Sequence, residues 1–442
     1  MRGLFVIKDS LANKISFYHL MLLMASLPFD RFYSHLILIS YAIHTLIHLK
    51  KGDIKRVFNL QTLLLQSVFL ITVFGTIYTH TPGEAFTEWG KQIVILIFPV
   101  SFCLNPLDLK KYKAQLLLSF ALVCTATIIY LFADVFKTLH HYQLPYSAMF
   151  SGAFTNHNFS EPIDMHATFF SMQIALSLTY LLTVLIKEKS VSKRLFYFIC
   201  SAVLAAGLLQ LCSKSALVAF IVIINLAIPW FILKRVERRR FIAISVSLTA
   251  LLFAGILQSG AFRERFINEL TIDLSKPKAG EIEDGRLARW NAAAGLIKKA
   301  PVFGYGSGSE IGLLQDAFYN NKLYNSYLNR LNAHSQYLSF LIKTGILGLL
   351  VYLATLAFGF RRAFKHKDVL FFSFMLLVAI VSLSENLLDV DKGICFYAFF
   401  FSFFTFSSES LEKDGLEHVK TRLASVGGDI PGSAIPEPVY IS

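Results

Sequence analysis

Arg286 and Arg289 stand three residues apart in the stretch EDGRLARWNAAAGLIKKAPVFGYGSGS. Residues at i and i+3 share one face of a helix. The pair, with Trp290 beside it, therefore offers two guanidinium forks to one anion, and such forks suit phosphate. Asp284 is the expected N-cap, Ala293, Leu296 and Ile297 the apolar stripe, and Pro301 the stop. GYGSGS reads as a flexible turn with exposed backbone amides close to that clamp. The same residues also suit a solvated surface helix whose arginines pair with Glu281, Glu283 and Asp284.

His334 lies in NAHSQYLSFLIKTGILGLLVYL, preceded by Asn332 and followed by Gln336. A histidine at a helix entrance titrates near neutrality, so facing a cavity it can take a proton from a hydroxyl or steady a phosphate. A plain helix-capping histidine gives the same pattern. Lys214, in LLQLCSKSALVAF, is a single cation between two apolar runs; its ammonium must snorkel outward or meet an anion. Glu385 and Asn386, in SLSENLLDVDKG, are placed to hydrogen-bond a sugar or to orient a basic residue, although ordinary helix-end polarity looks alike. Residues 137–164 carry His140, His141, His157, Glu161 and Asp164 and lead into His166 at another helix entrance. The candidates for catalysis are thus His334, Arg286 and Arg289, and those for substrate binding are Lys214, His166, Trp290, Asn332, Glu385 and Asn386. No HExxH, Walker A, GxSxG or clustered Asp pattern occurs. Cys103, Cys124, Cys200, Cys212 and Cys395 lie in or beside apolar runs without CxxC or metal-type spacing, so neither metal nor cofactor is expected.

The elements that must position these residues are apolar helices. The 442 residues are 55% hydrophobic and 16% charged, with 42 Phe and a mean hydropathy of +0.55. A soluble core could not bury that much apolar surface. Runs of about 17 to 25 residues are long enough to cross a bilayer as helices. They fall at Ile15 to Pro28, Phe32 to Leu49, Val57 to Tyr78, Lys91 to Leu104, Ala114 to Phe136, Met165 to Ile186, Leu195 to Leu211, Ser215 to Leu233, Phe241 to Gln258, Ser335 to Phe360, Val369 to Leu383 and Ile394 to Phe406. The expected fold is an all-α polytopic membrane protein with about twelve transmembrane helices and one large loop between the ninth and tenth. Helices occupy 1–258 and 335–407, the loop with the chemical motif 259–334, and a disordered tail 408–442. The first run reads as a retained helix, with no cleaved signal pattern.

A net charge of +13 does not point to nucleic acid here, because the cations cluster in short loops. Lys50, Lys51, Lys55 and Arg56, Lys110, Lys111 and Lys113, Lys187, Lys189, Lys193 and Arg194, Lys234 to Arg240, and Arg361 to Lys367 fall in every second connection between the runs, and so on one side, together with Arg2, Lys8 and Lys14 ahead of the first. The intervening loops carry only Arg31, Lys137, Lys214 and Lys392. The positive-inside rule then puts both termini in the cytoplasm and 259–334 outside it. Lys214, Arg286, Arg289, His334 and Glu385 converge on that outer interface, a set suited to a lipid-linked phosphate or pyrophosphate.

At these residues the chain resembles the bacterial O-antigen ligase and polymerase superfamily. The resemblance is carried by GRLARWNAAAGLIKKAPVFGYGSGS and NAHSQYLSFLIKTGILGLLVYL, with weaker support from MHATFFS at Met165 and CSKSALVAF at Cys212. It implies a metal-independent glycosyltransferase of the inner membrane with a periplasmic site, transferring a glycan from undecaprenyl pyrophosphate to an acceptor hydroxyl. On that analogy Arg286 and Arg289 bind the pyrophosphate and His334 acts on the hydroxyl. The motif's cation is often Arg where Lys214 stands, which keeps the charge without the fork. The acceptor is the lipid A core in a ligase and a second lipid-linked repeat in a polymerase; the motifs favour the ligase slightly. A transporter for the same lipid-linked glycan is the reading from another class, though transporters hold charges near the bilayer midplane.

Overall fold

The computed structural model of the chain describes residues 5–49, 53–258, 260–275 and 284–408. Arg2, Lys50, Lys51, Glu281, Glu283, Ser259 and nearly all of the expected tail lie outside the described residues. Each of the twelve apolar runs forms helix, and no strand occurs among the described residues. The helices are α1 (Leu11–Ser26), α2 (Arg31–Ile47), α3 (Leu60–Thr76), α4 (Pro82–Leu104), α5 (Leu109–His141), α6 (Ala167–Lys187), α7 (Val191–Gln210), α8 (Lys214–Ile232, with a π turn at Ile223–Ala227) and α9 (Arg235–Gln258). Shorter helices follow, α10 (Glu269–Leu274), α11 (Arg286–Lys299), α12 (Glu310–Asn320) and α13 (Tyr324–Leu328). Then come α14 (Gln336–Lys365), α15 (Val369–Val381) and α16 (Asp391–Ser407).

Polar side chains start these helices where the apolar runs begin. Ser10, Asp30, Asn59, Asp108 and Asp368 each accept a first-turn N–H of the helix they precede, which satisfies donors that have no intrahelical partner. Among the described residues six helices, α4 to α8 and α14, are long and apolar enough to cross a bilayer; α3 and α15 are apolar but shorter.

The elements differ in extent from the sequence expectation, most plainly in α4, α5 and the segment read as a loop. α4 starts at Pro82, nine residues before Lys91, because Glu84, Thr87 and Glu88 hide a helical turn from hydropathy, while proline at N1 is preorganised for a helix. α5 is longer at both ends than Ala114 to Phe136. The segment read as a loop is largely helical, through α10 to α13.

α16 and α6 form the centre. Phe396, Phe399, Phe400, Phe403 and Phe404 of α16 are all buried, and Phe400 and Phe404 pack on Phe374 of α15 with ring centroids 6.1 and 5.8 Å apart. A helix apolar all round belongs inside. Outer helices instead expose Leu36, Ile39 and Ile43 on α2, Leu195, Phe198 and Ile199 on α7, and Ile244, Leu248 and Leu251 on α9. Water would not tolerate so wide an apolar surface, but lipid would. A second, small core joins α11 and α12 to the head of α14 through Ala288, Ala292, Ala293, Leu314, Phe318, Leu323, Ala333 and Ile342. That core fixes Arg289 and His334 relative to each other.

Candidate functional site

α11 begins at Arg286 with Gly285 as its cap. Asp284, expected to cap it, instead accepts the N–H of Ser326 at 2.8 Å and ties the head of α11 to α13. Ala293 is fully buried and Leu296 and Ile297 partly so, as the stripe requires. Both arginines stand on the same helical face as that stripe, nearer the head of α11, and line a cavity of about 430 Å³ with Lys214, Arg265, Glu269, Asp273, Trp290, Thr168 and Glu385.

Two cations of this cavity, Arg286 and Lys214, are held loosely. Arg286 has Nε 3.6 Å from Asp273 Oδ2 and Nη2 3.9 Å from Glu385 Oε1. Lys214 Nζ lies 3.3 Å from Glu269 Oε2 and 3.7 Å from Asp273 Oδ2, and Arg265 pairs with Glu269. Arg289 differs from these. It is 6% exposed, and its Nε has no hydrogen-bond partner in the described protein. Burial, and then the charge of Arg286, lower its pKa, yet a guanidinium stays charged in proteins. A buried cation without its full complement of acceptors is costly unless an anion completes it. Sequence reasoning missed Arg265, Glu269 and Asp273; their spacing in steps of four, which puts them on one helical face, was the available signal.

His334 sits in the turn before α14 with φ +46°, not within the helix. Its Nδ1 lies 3.5 Å from Glu385 Oε2, long for a hydrogen bond but close enough to steady a protonated ring. Burial pushes the Glu385 carboxyl up, but the His334 ring beside it and the Arg286 guanidinium outweigh it and hold the group below the usual range. Trp290 Nε1 donates to Ala333 O at 3.0 Å and so joins α11 to the His334 turn. Asn332 Oδ1 accepts the N–H of His334 itself at 2.9 Å. Glu385 and Asn386 lie in the turn after α15, which ends at Val381.

His166 caps α6, its Nδ1 accepting the N–H of Thr168 at 3.3 Å. His157 Nδ1 accepts the N–H of Ala167 at 3.4 Å, and the two rings are 4.2 Å apart. Burial, partly offset by Glu385, lowers the His166 pKa to about 4. The ring is therefore neutral and carries its proton on Nε2. It lines a second, open cavity of about 720 Å³ with Asp30, Glu161, Asp164, Asp391 and Lys392.

GYGSGS is not a free phosphate loop. Tyr305 N and Gly306 N donate to Ile342 O and Lys343 O at 2.9 and 2.7 Å, and Ser307 N donates to Gly75 O at 3.2 Å. Gly306 has φ +94°, and a Cβ there would lie 2.5 Å from the Thr79 Cα. The glycines let this segment wedge between α3 and α14, and its amides are engaged there.

Arg286, Arg289, Lys214, Trp290 and Glu385 thus share one cavity, with His334 at its edge. Asn332 and Asn386 line a third, of about 520 Å³, with Glu310 and Lys343. Asn386 is 2% exposed. His140 and His141, at the end of α5, line none of the three. Among the described residues no three His, Cys, Asp or Glu are grouped to hold a metal ion.

Apolar helices around a cavity lined by cations, with a histidine–carboxylate pair beside it, fit an all-α membrane protein. Residues 199–353 match the family model described as O-Antigen ligase. This match bears out, over that segment, the resemblance seen in the motifs, and members of that family are glycosyltransferase-like enzymes. The matched span contains Lys214, Arg286, Arg289, Trp290, Asn332 and His334, while His166, Glu385 and Asn386 lie outside it. No curated protein matches the chain.

Proposed function

We propose that the protein transfers a glycan from undecaprenyl pyrophosphate to a hydroxyl of the lipid A core, as an O-antigen ligase, on the periplasmic face of the bacterial inner membrane. The observation that carries this reading is the buried, incompletely partnered Arg289 in a cavity with Arg286, Lys214 and Arg265. A pyrophosphate is the multivalent oxygen anion such a cavity fits.

In this mechanism the acceptor oxygen attacks the anomeric carbon and forms the new glycosidic bond. The bond from that carbon to the pyrophosphate oxygen breaks, and the leaving anion keeps its electron pair. The hydroxyl proton passes to His334, and Glu385 steadies the resulting imidazolium. Arg286, Arg289, Lys214 and Arg265 stabilise the charge that grows on the leaving group, the kind of interaction whose removal costs about 100- to 1,000-fold in rate. Trp290 and Asn332 hold the His334 turn. The acceptor sugar approaches through the cavity of His166, whose Nε2–H and neighbouring carboxylates suit hydroxyl groups. The loop 259–334 lies on the outer side with the site.

The test is release of undecaprenyl pyrophosphate from the lipid-linked glycan by the purified protein in liposomes. Transfer should be abolished in R286A, R289A and H334A with insertion intact; normal product in all three sinks the reading. Supplying either lipid A core or a second lipid-linked repeat separates ligase from polymerase. Movement of the lipid-linked glycan with no pyrophosphate released would make the protein a transporter.

A further inference from the structure

The His334 turn is gripped from a distant element. Glu310, the first residue of α12, is 3% exposed. Its Oε1 accepts the N–H of Ala333 at 3.2 Å and Nδ2 of Asn386 at 3.0 Å. Asn386 in turn accepts the N–H of Ser335 on Oδ1 at 2.9 Å. With Asn332 on the N–H of His334, the successive amides of 333, 334 and 335 all end on side-chain oxygens. Between them His334 adopts a left-handed conformation that a histidine takes up only when its surroundings over-determine it.

The second Glu310 oxygen is anchored as well. It accepts from Ser339 Oγ and lies 3.7 Å from Lys343 Nζ. That ammonium also reaches Asp389 at 2.6 Å and Glu88 at 3.1 Å. One carboxylate therefore joins α12, the His334 turn, the head of α14 and the turn of Glu385 and Asn386. Since Asn386 adjoins Glu385 in the chain, the same grip sets both members of the His334–Glu385 pair.

We infer that Glu310, acting with Asn386, is a positioning residue that holds His334 against Glu385 at the rim of the cationic cavity. This rests on the reading of His334 as the base. Glu310 touches no reacting atom; it works through the peptide N–H of Ala333 and, by way of the Asn386 amide, that of Ser335.

The experiment compares E310A, E310Q and N386A with wild type and H334A, as full chains in liposomes, with kcat and the KM for the undecaprenyl-pyrophosphate-linked glycan measured separately. Glutamine keeps one carbonyl oxygen for both donors, so E310Q should stay within about threefold of wild-type kcat, whereas a displaced base in E310A should cost about 100-fold. Donor KM should hold in both, because the arginine cavity is untouched. E310A and N386A combined should be no slower than the worse single variant, since both break one unit. Wild-type kcat in E310A overturns the inference. So do an E310Q as slow as E310A, which would make the charge what matters, and a donor KM that rises in step with the loss of kcat. If E310A fails to insert, N386A alone decides: a fall in kcat at constant KM supports the role, and wild-type kcat overturns it. An active H334A would instead overturn the underlying reading of the base.

Discussion

At the scale of the residue, Arg289 is the most telling side chain, since it costs stability where it stands. R289M keeps a similar length without a charge and should raise the thermal midpoint while abolishing transfer, because a buried donor left without an acceptor costs about 1–3 kcal/mol. A lowered midpoint in R289M, measured by thermal unfolding in detergent, would mark the arginine as structural. R289K should keep some activity, having the charge without the fork. His166 makes a pH prediction. Its folded pKa, about 4 against an ordinary 6.5, means that below pH 6.5 the unfolded chain takes up a proton that the folded chain refuses. Stability therefore falls as pH drops from 6.5 to 4, by about 3 kcal/mol at one pKa unit per 1.36 kcal/mol. H166Q should flatten the dependence of the thermal midpoint on pH over that window. Arg286, Arg289 and His334 were legible in the sequence because charged and titratable residues are scarce in so apolar a chain. Glu310 was not, since its partners lie 23 and 76 residues away and no spacing marks it.

At the scale of the element, helices driven by apolar runs were readable, and those carrying polar work were not. The head of α4 is the plain case: Glu88 breaks the hydropathy signal because it turns inward to Lys343, a pairing that only the packed structure reveals. α14 is the other. Gly345 interrupts it with φ +62° and ψ −155°, a region essentially closed to other residues. A Cβ there would meet Val302 O at 2.2 Å. This break sets the direction of the segment that carries Gln336, Ser339 and Lys343 below the His334 turn. G345A should destabilise by more than the ~1–3 kcal/mol of backbone strain alone, and it should lower kcat by moving Glu310 and its partners. G295A, on α11 with open space around the added methyl, should instead be neutral or stabilise by roughly 0.5–1 kcal/mol. Protease resistance of the two variants in liposomes checks both. Equal loss in the two would show that the kink has no special tolerance for glycine.

At the scale of the whole molecule, the bundle separates chemistry from charge. The starts of α2, α4, α6, α8 and α16 bring Asp30, Glu88, His166, Lys214 and Asp391 to the end of the bundle that holds the cavities. At the other end Lys113 pairs with Asp368, and Lys111 and Tyr112 reach Asp9. The cation-rich loops read as cytoplasmic from sequence gather there, and that asymmetry predicts which end faces which compartment. The native cysteines give little background for a thiol probe, four of the five being buried and Cys103 partly so. Single cysteines at exposed positions then report the sides: N158C and N321C at the cavity end, K189C and K367C at the other. A membrane-impermeant maleimide added to intact spheroplasts should label the first two and reach the others only after permeabilisation. N158C and N321C must agree for a deeper reason than topology. His166 of one cavity and Glu385 of the other lie close enough to act on each other electrostatically, so a donor and an acceptor held in the two can react only if both cavities open to the same compartment; labelling of the two from opposite sides would defeat transfer as the function.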